Sequence, residues 1–136
     1  MAQPLNLVIE AFPYFFSVCK IADPRLIDWR DPFVFVGKTD AELSLVCREA
    51  SVPEGSRPVS AGWRMFRVAG QLDFSLAGIL SRISGVLADE QIPIFAVSTY
   101  DTDYVLVKNS RFARALKALE SAGCRVKHVA AATPRE

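Results

Sequence analysis

The sequence predicts an α+β protein whose second half is a strand, helix, strand, strand, helix, strand unit, and three features carry that reading. The apolar spacing switches from strand-like in Trp63 to Val68 to helical over Leu76, Ile79, Leu80, Ile83, Val86 and Leu87. Two short apolar runs, Ile94 to Tyr100 and Tyr104 to Lys108, flank a polar turn at Asp101 and Thr102. A second helical stripe, Phe112, Ala115, Leu116 and Leu119, then leads through Gly123 into Cys124 to Val129. Written in order, residues 63 to 129 form a ferredoxin-like split βαβ arrangement, with both helices on one sheet face.

Each element has local justification. Trp63, Met65, Phe66 and Val68 surround Arg64 and Arg67 in the first strand, and Gly70 breaks it. Asp73 or Ser75 stands where the first helix needs an N-cap, and Ser110 stands similarly before the second. Gly123 occupies the position where a helix ends in a left-handed residue. The predicted core is Leu76, Ile79, Leu80, Ile83, Leu87, Phe112, Leu116 and Leu119. The first half is also rich in strand signals: Leu5 to Ala11, Tyr14 to Ile21, Phe33 to Lys38 and Leu43 to Cys47. Between them only Pro24 to Arg30 has room for a helical turn, so the helices of this half are missing or stunted. Ser51 to Ser60, with Pro53, Gly55 and Pro58, reads as the linker. The expected division is a β-rich subdomain over residues 1–54 and the βαββαβ domain over 61–129, followed by a frayed tail.

Composition narrows function. The 136 residues are 51% hydrophobic, enough for a core without disulfide or metal staples. Sixteen Lys and Arg against 15 Asp and Glu leave a net charge of +1, so no global field draws nucleic acid or anionic lipid. Cys19, Cys47 and Cys124 are odd in number and lack CxxC spacing, which implies free thiols in a reducing compartment and therefore the cytoplasm. No apolar run approaches membrane-spanning length, and the apolar N-terminal run lacks the basic residues of an export signal.

Catalytic candidates are few. His128 lies four residues after Cys124, on the same face if both are in one strand, but no third group orients such a dyad and zinc spacing is lacking. Ser81, Ser84 and Ser98 sit in no GxSxG elbow, and the glycines at 62, 70, 78 and 85 follow no phosphate-loop pattern. Phe95, Tyr100 and Tyr104 could stack bases as in RNA recognition motifs, yet VSTYDTDYVLV has two acids and no base. The reading is therefore of a protein with no catalytic residues, cofactor or metal, and no nucleic-acid or membrane partner.

The segment GQLDFSLAG joins a strand to a helix N-terminus, where backbone N–H groups and the helix dipole favour a small carboxylate. Asp73 could cap the helix or receive an ammonium there, and Ser75 could donate to a carboxylate.

The stretch DFSLAGILSRISGVLADEQIPIFAVSTYDTDYVLVK resembles the ACT domain of the type found in tandem in cytosolic arginine sensors of the TOR pathway and in the regulatory domains of aspartate kinase. With the looser matches FSVCKI and ELSLVCRE, the resemblance spans roughly residues 14 to 126. It implies two ACT-like subdomains, the first degenerate, and an amino-acid ligand held between the loop before the first helix and the second strand. The loop positions it implies are Gly70, Asp73, Phe74, Ser75, Leu76 and Gly78. The strand positions are Ala96, Val97, Ser98 and Thr99, with Thr102 and Asp103 in the turn. One full unit stands where the sensors have several, so a homodimer, covering the apolar edge Ile94 to Val97, is expected to supply the missing half. Two functions follow: an amino-acid-binding allosteric regulator, or an ACT oligomerisation domain without ligand.

Overall fold

A computed structural model describes residues 4–69 and 78–131. The strands are β1 (Val8–Ala11), β2 (Phe16–Lys20), β3 (Val34–Lys38), β4 (Leu43–Arg48), β5 (Val59–Val68), β6 (Phe95–Ser98), β7 (Asp103–Lys108) and β8 (Arg125–His128). The helices are α1 (Ile79–Asp89) and α2 (Asn109–Ser121). The chain divides into two compact units, one formed by Met1–Pro13 with Arg64–Glu136 and the other by Tyr14–Trp63. β5 contributes its residues up to Trp63 to the second and those from Arg64 to the first.

The first unit has the expected strand and helix order from β5 through β8, with one addition. β1 lies between β5 and β8, antiparallel to the former (Ile9 opposite Val68) and parallel to the latter (Val8 opposite Arg125). β7 pairs with β5 and β6. Leu5 to Ala11, expected within the 1–54 subdomain, is thus split between two sheet neighbours of the other unit. The reason is visible in its alternation: Ile9 and Ala11 are buried among the core residues while Glu10 meets Arg67. The core consists of Ile9, Phe66, Val68, Ile83, Leu87, Val105, Val107, Phe112, Ala115, Leu116 and Leu119, among others. Side chains of this size stabilise by roughly 1.5 to 3 kcal/mol each when fully buried. Ile79 and Leu80 are only half-buried at its margin, short of the full burial expected, and Leu76 lies outside the described residues.

Both helix starts differ from expectation. The N-cap of α1 is Gly78, and Asp73 and Ser75 lie outside the described residues. α2 begins at Asn109 straight from β7, with Lys108 rather than Ser110 at the cap and no capping side chain. The helix ends are built alike. Cys124 N–H donates to Leu119 carbonyl at 3.0 Å and Gly123 N–H to Glu120 carbonyl at 3.0 Å; Ile92 and Gln91 repeat the pattern onto Leu87 (2.9 Å) and Ala88 (2.9 Å). This double bond pattern requires a left-handed residue after the cap. Gly123 supplies it at φ +102°, as expected, whereas α1 uses Gln91 at φ +57°. Gly123 is doubly constrained, because a Cβ there would lie 2.7 Å from Pro4 Cβ.

The second unit repeats the strand order with its helices reduced to 3-10 turns, Pro24–Leu26 and Glu49–Ser51. β2 pairs antiparallel with β4 and β5, and β4 with β3, giving the order β3, β4, β2, β5 of a split βαβ sheet. Cys19, Ile21, Ile27, Leu45 and Cys47 form its core, with Val34, Leu43 and Val52 packed against them. Beside them the Asp31 side chain is 1% exposed, accepting from Arg48 Nε (2.8 Å), Ser51 Oγ (2.7 Å) and Phe33 N–H (2.9 Å). The Arg48 guanidinium also lies 5.0 Å from the centre of the Tyr14 ring.

Candidate functional site

The β6–β7 hairpin gathers the strand and turn positions that the sequence singles out. Phe95 to Ser98 pair with Leu106 to Asp103, placing Ser98 directly opposite Asp103. Ser98 Oγ donates to Asp103 Oδ1 at 2.6 Å, which leaves Oδ2 of this carboxylate able to accept from a cation. The turn is tight: Thr99 N–H and Thr99 Oγ1 both donate to the Thr102 carbonyl, at 2.9 and 3.0 Å. That bond fixes the parity of the ladder. Thr99 and Val97 bond across to β7, so the N–H and C=O groups of Ala96 and Ser98 point away from it. β6 pairs only with β7 among the described residues.

Thr102 has a structural duty. It is 7% exposed and its Oγ1 donates to the Val68 carbonyl at 2.8 Å, tying the hairpin turn to the last residue of β5. Beyond β5 the chain runs toward Gly78, where α1 begins at φ +85°. Among the described residues only this backbone angle calls for glycine, since none of them has an atom within 4 Å of a Cβ built there. Gly78 adds no side chain to the backbone N–H groups of the first helical turn. Gly70, Asp73, Phe74, Ser75 and Leu76, the remaining loop positions, lie outside the described residues.

Residues 59–121 match the family model described as ACT domain. Over these residues the chain is similar to ACT domains. The match runs from β5 through α2 and includes the whole hairpin. Among curated proteins, the cytosolic arginine sensor for mTORC1 subunit 1 of Homo sapiens and that of Bos taurus are each 36% identical over 59 residues. That alignment takes in 43% of this chain and 18% of each sensor, so the chain spans under a fifth of these relatives' length. Among solved structures, a protein from Agobacterium tumefaciens is 26% identical, with TM-score 0.83 over 99% of this chain and 100% of that one. The regulatory subunit of aspartate kinase from Thermus thermophilus shares the fold at TM-score 0.60 and 11% identity, over 84% of this chain and 95% of that one.

The first unit holds a second polar group that sequence spacing did not reveal. On the sheet face opposite the core, Arg67 donates to Glu10 Oε1 (3.0 Å) and Tyr104 Oη (3.3 Å). Its guanidinium lies 4.8 Å from the Phe12 ring centre. Burial works against the Arg67 charge, but these hydrogen bonds and the neighbouring Glu10 charge outweigh it and hold the guanidinium more firmly protonated. The only available signal was the alternation of Glu10 and Arg67 in their strands, which becomes a pair only when β1 is known to lie beside β5.

The other sequence candidates separate. Cys124 is buried ahead of β8 while His128 at its end is exposed, so no dyad environment forms. Tyr100 is exposed beyond β6, whereas Tyr104 is engaged with Arg67. Cys19, Cys47 and Cys124 are free and buried. Burial, and then the neighbouring Cys19 and Asp31, pushes the Cys47 thiol up to about 12, far from a reactive thiolate. No group of three or more potential metal ligands occurs among the described residues. No described helix is long and apolar enough to cross a membrane.

Proposed function

We propose that this chain is a non-enzymatic regulatory module that binds a free amino acid at the turn end of the β6–β7 hairpin and acts in the cytosol as a homodimer. The observation that carries the reading is the Ser98–Asp103 pair beside an open strand edge. One carboxylate oxygen is engaged by Ser98, and the other faces a ligand ammonium together with the outward carbonyls of Ala96 and Ser98. The ligand carboxylate is assigned to backbone N–H groups before α1, around Phe74 to Leu76, with Asp73 as a second acceptor for the ammonium. Gly70, Ser75, Gly78, Val97, Thr99 and Thr102 complete the proposed surroundings. The likeness to proteins named as cytosolic arginine sensors supports the ligand class and the compartment.

The second reading is an assembly domain without ligand, which the open strand edges favour. Thermal unfolding against each of the twenty amino acids separates the two. A ligand at one hundred times its dissociation constant stabilises by about 2.7 kcal/mol, a rise of several degrees. One or a few amino acids raising the midpoint supports the regulator; twenty flat responses at 10 mM favour the assembly domain.

A further inference from the structure

β8 is an edge strand of the first unit, pairing only with β1 among the described residues. Arg125 N–H donates to the Leu7 carbonyl and Val129 N–H to the Ala11 carbonyl, both at 2.9 Å. In a parallel ladder alternate residues bond to the same neighbour, so Arg125, Lys127 and Val129 turn their backbone groups to β1. Val126 and His128 therefore hold N–H and C=O toward the outside. The side chains alternate as well: Val126 packs half-buried against the core, and Arg125 and Lys127 stand exposed on the opposite face. Glu10, the neighbour of Lys127 in register, is engaged by Arg67. Neither Arg125 nor Lys127 forms an ion pair among the described residues.

The charge on this edge is one-sided. Residues 122 to 131 contain Arg125, Lys127 and His128 and no acid, in a chain whose net charge is only +1. Lysine on an exposed edge often serves merely to keep strands from joining. That duty does not explain the placement here. β3 has a single charge at its last residue and β6 has none, although each pairs with one strand only among the described residues. A cationic edge refuses a second β8 and accepts an acidic strand. Antiparallel addition fixes the pattern of that strand. The residue facing Val126 makes the hydrogen-bonded pair and lies beside the core margin, where a β-branched side chain fits. Its two neighbours face Arg125 and Lys127 at non-hydrogen-bonded sites, where side chains come closest. The edge thus calls for an acid, a β-branched residue and an acid in succession.

We infer that β8 is a docking edge for an extended acidic segment of a partner protein, which adds antiparallel as a further strand and sets its acids against Arg125 and Lys127. The surface is separate from the β6–β7 hairpin and does not depend on the amino-acid reading. With about three cross-strand pairs the contact is small, so the dissociation constant of the segment alone is expected on the order of 0.1 mM.

Fluorescence anisotropy of the dye-labelled peptide Ser-Thr-Glu-Val-Glu-Thr-Ser, titrated with the full chain to 1 mM in 50 mM salt, tests it. Binding should saturate, and the same peptide with Lys in place of Glu should not bind. Arg125→Glu combined with Lys127→Glu should reverse this preference. His128→Pro removes an outward N–H without touching the β1–β8 ladder and should weaken binding at least fivefold, with the unfolding midpoint unchanged. No saturable binding by 1 mM overturns the inference, as does equal binding of the basic peptide or an acidic peptide still held by the charge-reversed protein. Full binding by a folded His128→Pro protein also overturns it, because the peptide is then held by charge without strand pairing. A single-stranded oligonucleotide that binds as tightly as the acidic peptide does the same and assigns the edge to nucleic acid.

Discussion

The two units of this protein solve one packing problem in two ways. Each connects its strands in the split βαβ order, but the ACT-like unit covers its sheet with α1 and α2, whereas the Tyr14–Trp63 unit has only two 3-10 turns in the same places. In the first, helix side chains at three- and four-residue spacing, Ile83, Leu87, Phe112, Leu116 and Leu119, supply the buried layer. In the second, single connection residues, Ile27 and Val52, reach the sheet, and the Asp31, Arg48 and Ser51 group fastens the two connections to each other. A split βαβ strand order can thus persist without helices, provided something else holds the crossovers down. Apolar area does so in one unit, and in the other a polar clasp shares the task with a smaller core.

Substitutions that remove these two fastenings should destabilise the two units unequally. Leu119→Ala, at a fully buried site, should cost the ACT-like unit about 2 to 5 kcal/mol in urea unfolding, and Leu80→Ala less because Leu80 is only half-buried. Ile27→Ala should fall below Leu119→Ala, since the core around it is smaller. If Ile27→Ala costs more, the helices are not the stronger fastening.

Asp31→Asn tests the clasp. Arg48 remains about one-third exposed, so solvent offsets part of the loss, and the expected cost is about 1 to 3 kcal/mol. The pH dependence follows from direction. Burial alone would raise the Asp31 carboxyl, but hydrogen bonds from Ser51, Phe33 N–H and Arg48 outweigh it and hold it below the usual carboxylate range. Its contribution is therefore present above about pH 4 and is lost as pH falls through the lowered native value. Urea midpoints between pH 6 and 2 should fall less steeply in Asp31→Asn than in the wild type.

The smallest effects concern the helix ends, which share a hydrogen-bond pattern but not a residue type. Gly123→Ala places a Cβ at φ +102° and against Pro4, and should cost at least about 1 kcal/mol. Gln91→Gly relieves a left-handed glutamine and should stabilise by up to about 1 kcal/mol. Opposite signs in the two thermal midpoints would support the pattern, and equal signs would break it.

Much of this architecture was legible in the sequence because the signals were local. The period change after Val68, the stripe from Phe112 to Leu119 and Gly123 identified α1, α2 and the end of α2. Ser98 was legible as a strand residue and Thr102 and Asp103 as turn residues, but the burial of Thr102 against Val68 depends on a contact 34 residues away. The insertion of β1 was hidden for a similar reason: Leu5 to Ala11 alternates as any strand does, and nothing in it specifies which neighbour it takes. The Asp31 clasp was hidden too, because an Asp amid Pro and Arg residues reads as a surface turn until Arg48 and Ser51 are brought over it.

An amino-acid site at the end of the β6–β7 hairpin can be probed by calorimetric titration of the best stabilising amino acid into wild type and into Asp103→Asn. The substitution keeps an acceptor for Ser98 while removing the charge offered to an ammonium. Affinity at least tenfold weaker in Asp103→Asn, with an unchanged unfolding midpoint without ligand, is the predicted result. Equal affinity in a variant that also carries Asp73→Asn and remains folded would contradict it, since neither carboxylate would then hold the ammonium.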